Sequence, residues 1–318
     1  MSIGVEELIN RALHKEKASV GKLITLIETD PITSLEVLGR IPYHPKKSHV
    51  IGFTGSAGVG KSTLINAVAT LLAREGRSVA VMAVDPKSPL TGGAVMGDRV
   101  RMKDVPKEVY IRSMTTGEEE SLPLKTVLTM ELFERLGYDN IIIETPGAGQ
   151  FNIRVMKAVD TVVVVLMPEA GDEIQAIKAG MMEIGDIYVV NKSDLPGANL
   201  TYSQVLFAIN STDRAGWAPK VHMTNALSLT SVEPLVSSIK EHWEFLKANG
   251  LETAKRVMRR SLELQLIASE EINNALKIVS APGNTLYREY EDFLKRGGSI
   301  RDLRGKIRKE LINALTDN

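Results

Sequence analysis

The chain has 318 residues, 43% of them hydrophobic and 25% charged, the make-up of an ordinary globular protein with room for one core of about 200 residues plus a helical appendage. Lys+Arg and Asp+Glu both number 39, so the formal net charge is zero; this argues against a dedicated nucleic-acid or anionic-membrane binder. Cysteine is absent, which excludes disulfides, thiolate catalysis and thiolate metal sites.

The segment Met1 to Glu7 has no charged-then-apolar leader pattern, and Ser2 is not the glycine that myristoylation needs. Apolar runs such as Val162 to Met167 are too short to span a bilayer, so the expectation is a cytoplasmic protein. Residues 1–47 show helical spacing (Val5, Leu8, Ile9, Leu13; then Leu23, Leu26, Ile27), divided into short helices by Pro31, Pro42 and Pro45.

From residue 48 short β-branched runs alternate with helical stretches. The runs are Val50–Phe53, Val79–Val84, Val109–Ile111, Ile141–Ile143, Thr161–Leu166 and Ile187–Val190. They lack polar alternation, so both faces should be buried, as in a mostly parallel sheet between helices. Helices are expected at Lys61–Arg74, Leu122–Leu136 and Glu173–Ile184. After about residue 245 the strands stop, and Leu251–Ile278 and Asn284–Leu315 read as helix around Pro282-Gly283. The expectation is an α/β P-loop fold over 48–245, flanked by an N-terminal helical segment (1–47) and a C-terminal helical segment (246–318). His14, His44, His49, His222 and His242 have no paired metal-ligand spacing and should be surface or partly packed residues.

Gly55-Ser56-Ala57-Gly58-Val59-Gly60-Lys61-Ser62, followed by Thr63, fits G-x-x-x-x-G-K-[ST] and lies between a predicted strand and a predicted helix. Glycines there let successive backbone N–H groups turn toward a phosphate, and the helix dipole adds to that field. Lys61 should bridge the β- and γ-phosphates, and Ser62 should ligate Mg²⁺. Asn191-Lys192-Ser193-Asp194 follows the strand Ile187–Val190. The Asp194 carboxylate can accept two hydrogen bonds from the N1–H and exocyclic amine of guanine, a donor pair that adenine lacks.

A Mg²⁺-nucleotide site needs carboxylates at the carboxyl ends of strands. Asp85 closes one strand and Glu144 another, and Asp98 follows in a glycine-bearing loop. Glu144 begins Glu144-Thr145-Pro146-Gly147, where other GTPases carry the Asp of D-x-x-G. Gln150 could orient the attacking water or simply be exposed. Asp85 could be a turn residue before Pro86, and Asp98 a cap for the segment after it.

These residues together resemble the MeaB/ArgK-type GTPases, metallochaperone-like G proteins attached to adenosylcobalamin-dependent acyl-CoA mutases. The resemblance rests on Gly52-Phe53-Thr54-Gly55 with the P-loop, Val84-Asp85-Pro86-Lys87-Ser88-Pro89-Leu90-Thr91-Gly92-Gly93 and Gly97-Asp98-Arg99-Val100-Arg101-Met102. Ala170-Gly171-Asp172-Glu173-Ile174-Gln175 and Val190-Asn191-Lys192-Ser193-Asp194 complete it. It implies that Asp85, Asp98 and Glu144 are Mg²⁺-site carboxylates and Ser62 a direct ligand. It implies that Asp172, Gln175 and Lys178 belong to a loop responsive to the mutase, and that Asn225-Ala226-Leu227 supports the guanine ring through its backbone. It also implies a homodimer formed through the C-terminal helices, with GTP hydrolysis gating cobalamin delivery.

The chain departs from the family pattern at Glu144-Thr145-Pro146-Gly147-Ala148-Gly149-Gln150-Phe151-Asn152, where Pro146 removes a backbone donor. Asn225 stands in place of Ser, and Pro168-Glu169 in place of Pro-Gly. No internal arginine finger is evident, so hydrolysis should be slow without a partner. Three other readings stay open: a kinase-like factor linked to amino-acid transport, a nickel-insertion GTPase, and a GTP-gated interaction module with negligible turnover.

Overall fold

The computed structural model describes residues 4–44, 46–86, 105–116, 124–145, 156, 158–168, 182–210, 216–297 and 300–316. The β-branched runs form β1 (His49–Thr54), β2 (Val79–Pro86), β3 (Val109–Thr116), β4 (Asn140–Glu144), β5 (Thr161–Leu166) and β6 (Ile187–Val190), and β7 (Lys220–Met223) follows them. All neighbouring strands pair parallel, in the order β3-β2-β4-β1-β5-β6-β7. β1, β4, β5 and β6 are buried along their whole length, as their unbroken apolar runs require. β1 is the point of divergence: the chain goes to one side for β2 to β4 and to the other for β5 to β7. Ligands of open α/β sheets bind outside the carboxyl ends of strands at such a point.

Two strands differ from expectation. β3 runs five residues past Ile111, because Arg112 to Thr116 continue to pair with Met82 to Pro86 of β2. β7 has no signal in the sequence: its Lys220-Val221-His222-Met223 has no apolar run, since an edge strand that pairs, among the described residues, with β6 alone is half-buried.

Helices α1 (Val5–Leu13), α2 (Lys17–Thr29) and α3 (Pro31–Arg40) precede the sheet. Pro31 opens α3 at a position where its missing N–H costs nothing, and Asp30 caps the helix by accepting from the Thr33 N–H. α4 (Lys61–Arg74) follows β1, α5 (Leu124–Arg135) follows β3, α6 (Ala198–Asn210) follows β6, and α7 (Leu229–Ala248) follows β7. α4 and α7 pack on one face, where Leu64, Val68 and Leu72 meet Val232, Leu235 and Ile239 over Ile51, Phe53 and Val165. Alternate residues of the same strands turn to the opposite face, where α5 packs on β4. Of the expected helix Glu173–Ile184, Met182–Ile184 is helical and the remainder lies outside the described residues.

The last three helices are α8 (Leu251–Val279), α9 (Thr285–Arg296) and α10 (Ile300–Thr316). The single stretch expected over Asn284–Leu315 is therefore two helices, separated at Gly297, whose φ is 68°. The chain divides into two compact units, Met1–Arg260 and Ser261–Asn318. Among the described residues, no helix is long and apolar enough to cross a membrane.

Two of the histidines are more deeply buried than expected. His49 Nε2 lies 2.6 Å from Thr161 Oγ1, which lies 2.8 Å from His242 Nδ1, and His49 stacks on Trp243. Burial pushes the pKa of both imidazoles down, so they sit in the core as neutral rings. No metal-binding cluster forms around them among the described residues.

At the amino end of the sheet, Lys15 Nζ donates to Ser78 Oγ and Gly137 O, both at 2.8 Å, tying the N-terminal helices to the sheet. Asp139 accepts there from the Ser78 N–H and Oγ, at 2.8 Å each, and from Lys46. Burial would raise the Asp139 pKa, but those hydrogen bonds and the Lys46 charge hold it down to about 2. Because the folded value lies below the unfolded one, this stabilisation is present above about pH 4 and is lost as the pH falls through about 2. Asp139→Asn should cost roughly 1 kcal/mol at pH 7 after allowance for solvent screening. In urea titrations the difference from wild type should shrink toward zero by about pH 2; a pH-independent difference would refute the assignment.

Candidate functional site

Past Thr54 the chain turns through Gly55–Gly60 into α4. Gly55 and Gly60 take φ values of 149° and 91°. A Cβ on Gly55 would lie 2.1 Å from Val165 O, and one on Gly60 would lie 2.5 Å from Asn191 Nδ2. The loop is thus pressed against β5 and the end of β6, and only glycine fits at either point. Gly60 caps α4 with no side-chain cap, so the first-turn amides belong to the loop rather than to a capping residue. Lys61 is buried beneath the loop; its Nζ donates to Gly55 O at 2.7 Å and to Ser56 O at 2.8 Å. Backbone amides and an ammonium converging in this way suit a polyphosphate.

The second residue of α4, Ser62, meets the sheet, where its Oγ donates to Glu144 Oε1 at 2.8 Å. Glu144 ends β4, buried, with Phe53 of β1 and Ala83 of β2 as its register partners. A hydroxyl and a carboxylate in contact are hard oxygen donors, the type that Mg²⁺ selects. Asp85 lies two residues beyond Ala83 on β2, with Thr115 of β3 as partner; its side chain is outside the described residues. Asp98 and Gln150 lie outside the described residues altogether, as do Asp172, Gln175 and Lys178.

The Asn191-Lys192-Ser193-Asp194 segment follows β6 and leans on the loop. The Asn191 side chain, 1% exposed, donates from Nδ2 to Val59 O at 2.9 Å. Its Oδ1 accepts from Thr224 Oγ1 and from the Ala226 N–H, both at 3.1 Å. Lys192 adopts φ 56° and donates from Nζ to Gly58 O at 2.7 Å. The first two residues of this motif therefore brace the phosphate loop, while Asp194 is exposed.

The turn after β7 is fastened to the same place. The Ser193 N–H donates to Thr224 O at 3.0 Å. Asn225 exchanges hydrogen bonds with Ser231, its N–H donating to Oγ at 3.0 Å and its O accepting from Oγ at 2.8 Å. Asn225 Oδ1 accepts from the Leu227 N–H at 3.1 Å, and the Leu227 side chain is 87% exposed. Asp194 and the Asn225-Ala226-Leu227 turn thus stand at neighbouring strand ends, beside the loop that Asn191 holds. Thr224 and Ser231 carry no motif of their own; they are ordinary residues whose part depends on the β6–β7 pairing.

The chain matches the family model for methylmalonyl Co-A mutase-associated GTPase MeaB over residues 20–281. It belongs to the MeaB family of GTPases. A protein of Pyrococcus horikoshii is 38% identical over 297 residues, covering 91% of this chain and 92% of that one. GTPase ArgK of Escherichia coli is 32% identical over 286 residues, covering 85% of each. The mitochondrial methylmalonic aciduria type A homolog of Caenorhabditis elegans is 37% identical over 209 residues, covering 63% of this chain and 52% of that protein. A crystal structure titled LAO/AO transport system kinase superposes with a TM-score of 0.71 at 27% identity, covering 97% of this chain and 99% of that one. The guanine nucleotide binding read from the two motifs agrees with membership of this GTPase family.

Asn191→Ala would leave Val59 O and the Ala226 N–H without their side-chain partner. Unmade hydrogen bonds of this kind cost about 1–3 kcal/mol, so GDP should bind roughly ten- to a hundredfold more weakly. Titration with a fluorescent GDP analogue checks this, and unchanged affinity would rule out the brace.

Proposed function

We propose that this GTPase is a Mg²⁺-dependent switch that acts as a chaperone for an adenosylcobalamin-dependent acyl-CoA mutase, gating delivery or protection of the cofactor. The observation that carries the reading is the Ser62–Glu144 contact at the foot of the phosphate loop, in a chain whose family model names a mutase association. Lys61, which donates to Gly55 O and Ser56 O at the start of the loop, turns to the β- and γ-phosphates of bound GTP. Ser62 would hold Mg²⁺ directly, with Asp85, Asp98 and Glu144 around it, and the ion would neutralise charge developing on the phosphates. Glu144 would orient ligands of the ion from the end of β4, and Gln150 would orient the attacking water. Asp194 reads the base, which rests on the Asn225-Ala226-Leu227 turn.

The C-terminal helices supply the surface for a homodimer. Leu264, Ile272, Ile278, Tyr290, Leu294 and Ile312 keep large apolar side chains exposed there, an arrangement suited to association between copies. Work in the cytoplasm, without nucleic acid or membrane, is part of the same reading.

The experiment measures phosphate release from labelled GTP with Mg²⁺, alone and with the mutase that co-purifies from the host. Hydrolysis should be slow alone and rise at least about tenfold with the mutase, the label leaving as inorganic phosphate. Failure of any mutase to co-purify or to stimulate hydrolysis, or transfer of the label to protein, would contradict the chaperone reading.

A further inference from the structure

Three aspartates stand immediately before strands at the amino edge of the sheet, and each clips its strand to a neighbour in the same way. Asp139 before β4 exchanges hydrogen bonds with Ser78, Asp160 before β5 with Val50, and Asp186 before β6 with Val162. In each case the carboxylate accepts from the partner N–H at 2.8 Å, and the aspartate N–H donates to the partner carbonyl. What differs is the cationic group beside each clip. Asp139 has Lys46; Asp160 has Arg259 of α8, whose Nη2 lies 2.7 Å away and whose Nη1 donates to Glu134. Asp186 has a histidine, with His242 Nε2 of α7 3.6 Å from its Oδ1. Lysine and arginine keep their charge in mild acid, whereas histidine changes charge there.

The Asp186 carboxylate also sets the direction of the hydrogen bonds behind it. It favours the His242 proton on Nε2, which leaves Nδ1 to accept from the Thr161 hydroxyl, 2.8 Å away. With its own proton given to His242, Thr161 Oγ1 accepts from His49 Nε2 at 2.6 Å. Both rings thus carry their proton on Nε2, in one relay from His49 through Thr161 and His242 to Asp186.

A second proton on either ring works against this arrangement, first because both rings are buried. On His49 it would also place a cation near His242 and Lys247 of α7, Arg259 of α8 and Arg77 after α4. On His242 it would sit on Nδ1, head to head with the Thr161 O–H. There Asp186 favours the charge and Lys255 of α8 opposes it, but Asp186 Oδ2 is already engaged by the Val162 N–H. Aromatic side chains enclose the pair: Trp243 stacks on His49, and Trp217 lies against His242 and donates from Nε1 to Asp186 O.

We propose that His49, Thr161, His242 and Asp186 form an acid-sensitive latch, which holds α7 and the start of β6 to β1 and β5 while both rings are neutral and opens when they take up protons. The folded rings titrate below the unfolded value of about 6.5, so the latch is complete above that pH and weakens as the pH falls below it. Asp139 keeps its charge down to about pH 2. In mild acid the α7 corner therefore opens while the N-terminal helices stay fastened.

The test is hydrogen exchange of the full-length protein at about pH 7 and about pH 5, read by mass spectrometry and corrected for the intrinsic pH dependence of exchange. Peptides from β5 and the second half of α7 report the latch; peptides containing Ser78 or Asp139 report the Asp139 clip. In wild type the opening equilibrium of the latch peptides should rise at least about tenfold from pH 7 to pH 5, since each ring adds up to about tenfold per pH unit below 6.5. The clip peptides should change less than about twofold. His242→Gln should abolish the rise, and if it does not fold, His49→Gln decides by the same criterion. His222→Gln should keep the rise, because His222 meets α7 at Ser238, outside the latch. A wild-type change within about twofold, an equal rise in the clip peptides, an undiminished rise in the latch-histidine variant or its loss in His222→Gln overturns the inference.

Discussion

The side-chain amide of Asn191 is the interaction on which the site depends. It is buried at the end of β6, donates into the phosphate loop at Val59, and accepts from the turn after β7 at Thr224 and Ala226. Three segments distant in sequence meet on one planar group, and Lys192 adds a second strut to Gly58. A backbone loop built from glycines has no rigidity of its own, since glycine loses more conformational freedom on ordering than any other residue. The brace supplies that rigidity and sets the loop at a fixed place relative to Asp194. On the proposed reading, phosphate grip and base selection are parts of one mechanical unit.

The sheet is arranged to make that unit possible. β1 lies at the centre, with β4 delivering Glu144 on one side and β5 and β6 delivering Val165 and Asn191 on the other. Parallel pairing puts every carboxyl end at the same edge, so a hydroxyl from α4, a carboxylate from β4 and the motif after β6 gather without any long excursion of chain. The opposite edge is used for fastening. Lys15, Lys46, Ser78 and Asp139 hold the N-terminal helices there, and His49, Thr161 and His242 link β1, β5 and α7 through neutral, buried groups.

The legible parts of the sequence were those whose chemistry forces a local pattern. The phosphate loop needs glycine where a side chain would strike Val165 O or Asn191, so its signature is visible in the residues themselves. The buried strands need unbroken apolar runs, and β1, β4, β5 and β6 lie where those runs are. β7 was invisible because an edge strand can carry Lys220 and His222 without penalty. Arg259 was hidden more deeply. Its neighbours follow helical periodicity in a tail, and nothing local to that helix tells of Glu134 and Asp160, more than a hundred positions away in the first case. In the sequence Asn191 is legible only as part of a guanine motif; its bracing role depends on the positions of Val59 and Ala226.

The central claim is that a loop braced by Asn191 and a base reader at Asp194 form one guanine-specific pocket. Calorimetric titration of GDP and ADP, with Mg²⁺, into wild type and Asp194→Asn tests it most directly. The account predicts that wild type prefers GDP by at least about a hundredfold, and that the variant loses most of that preference. Equal affinity of wild type for the two nucleotides, or an undiminished preference in Asp194→Asn, would contradict it.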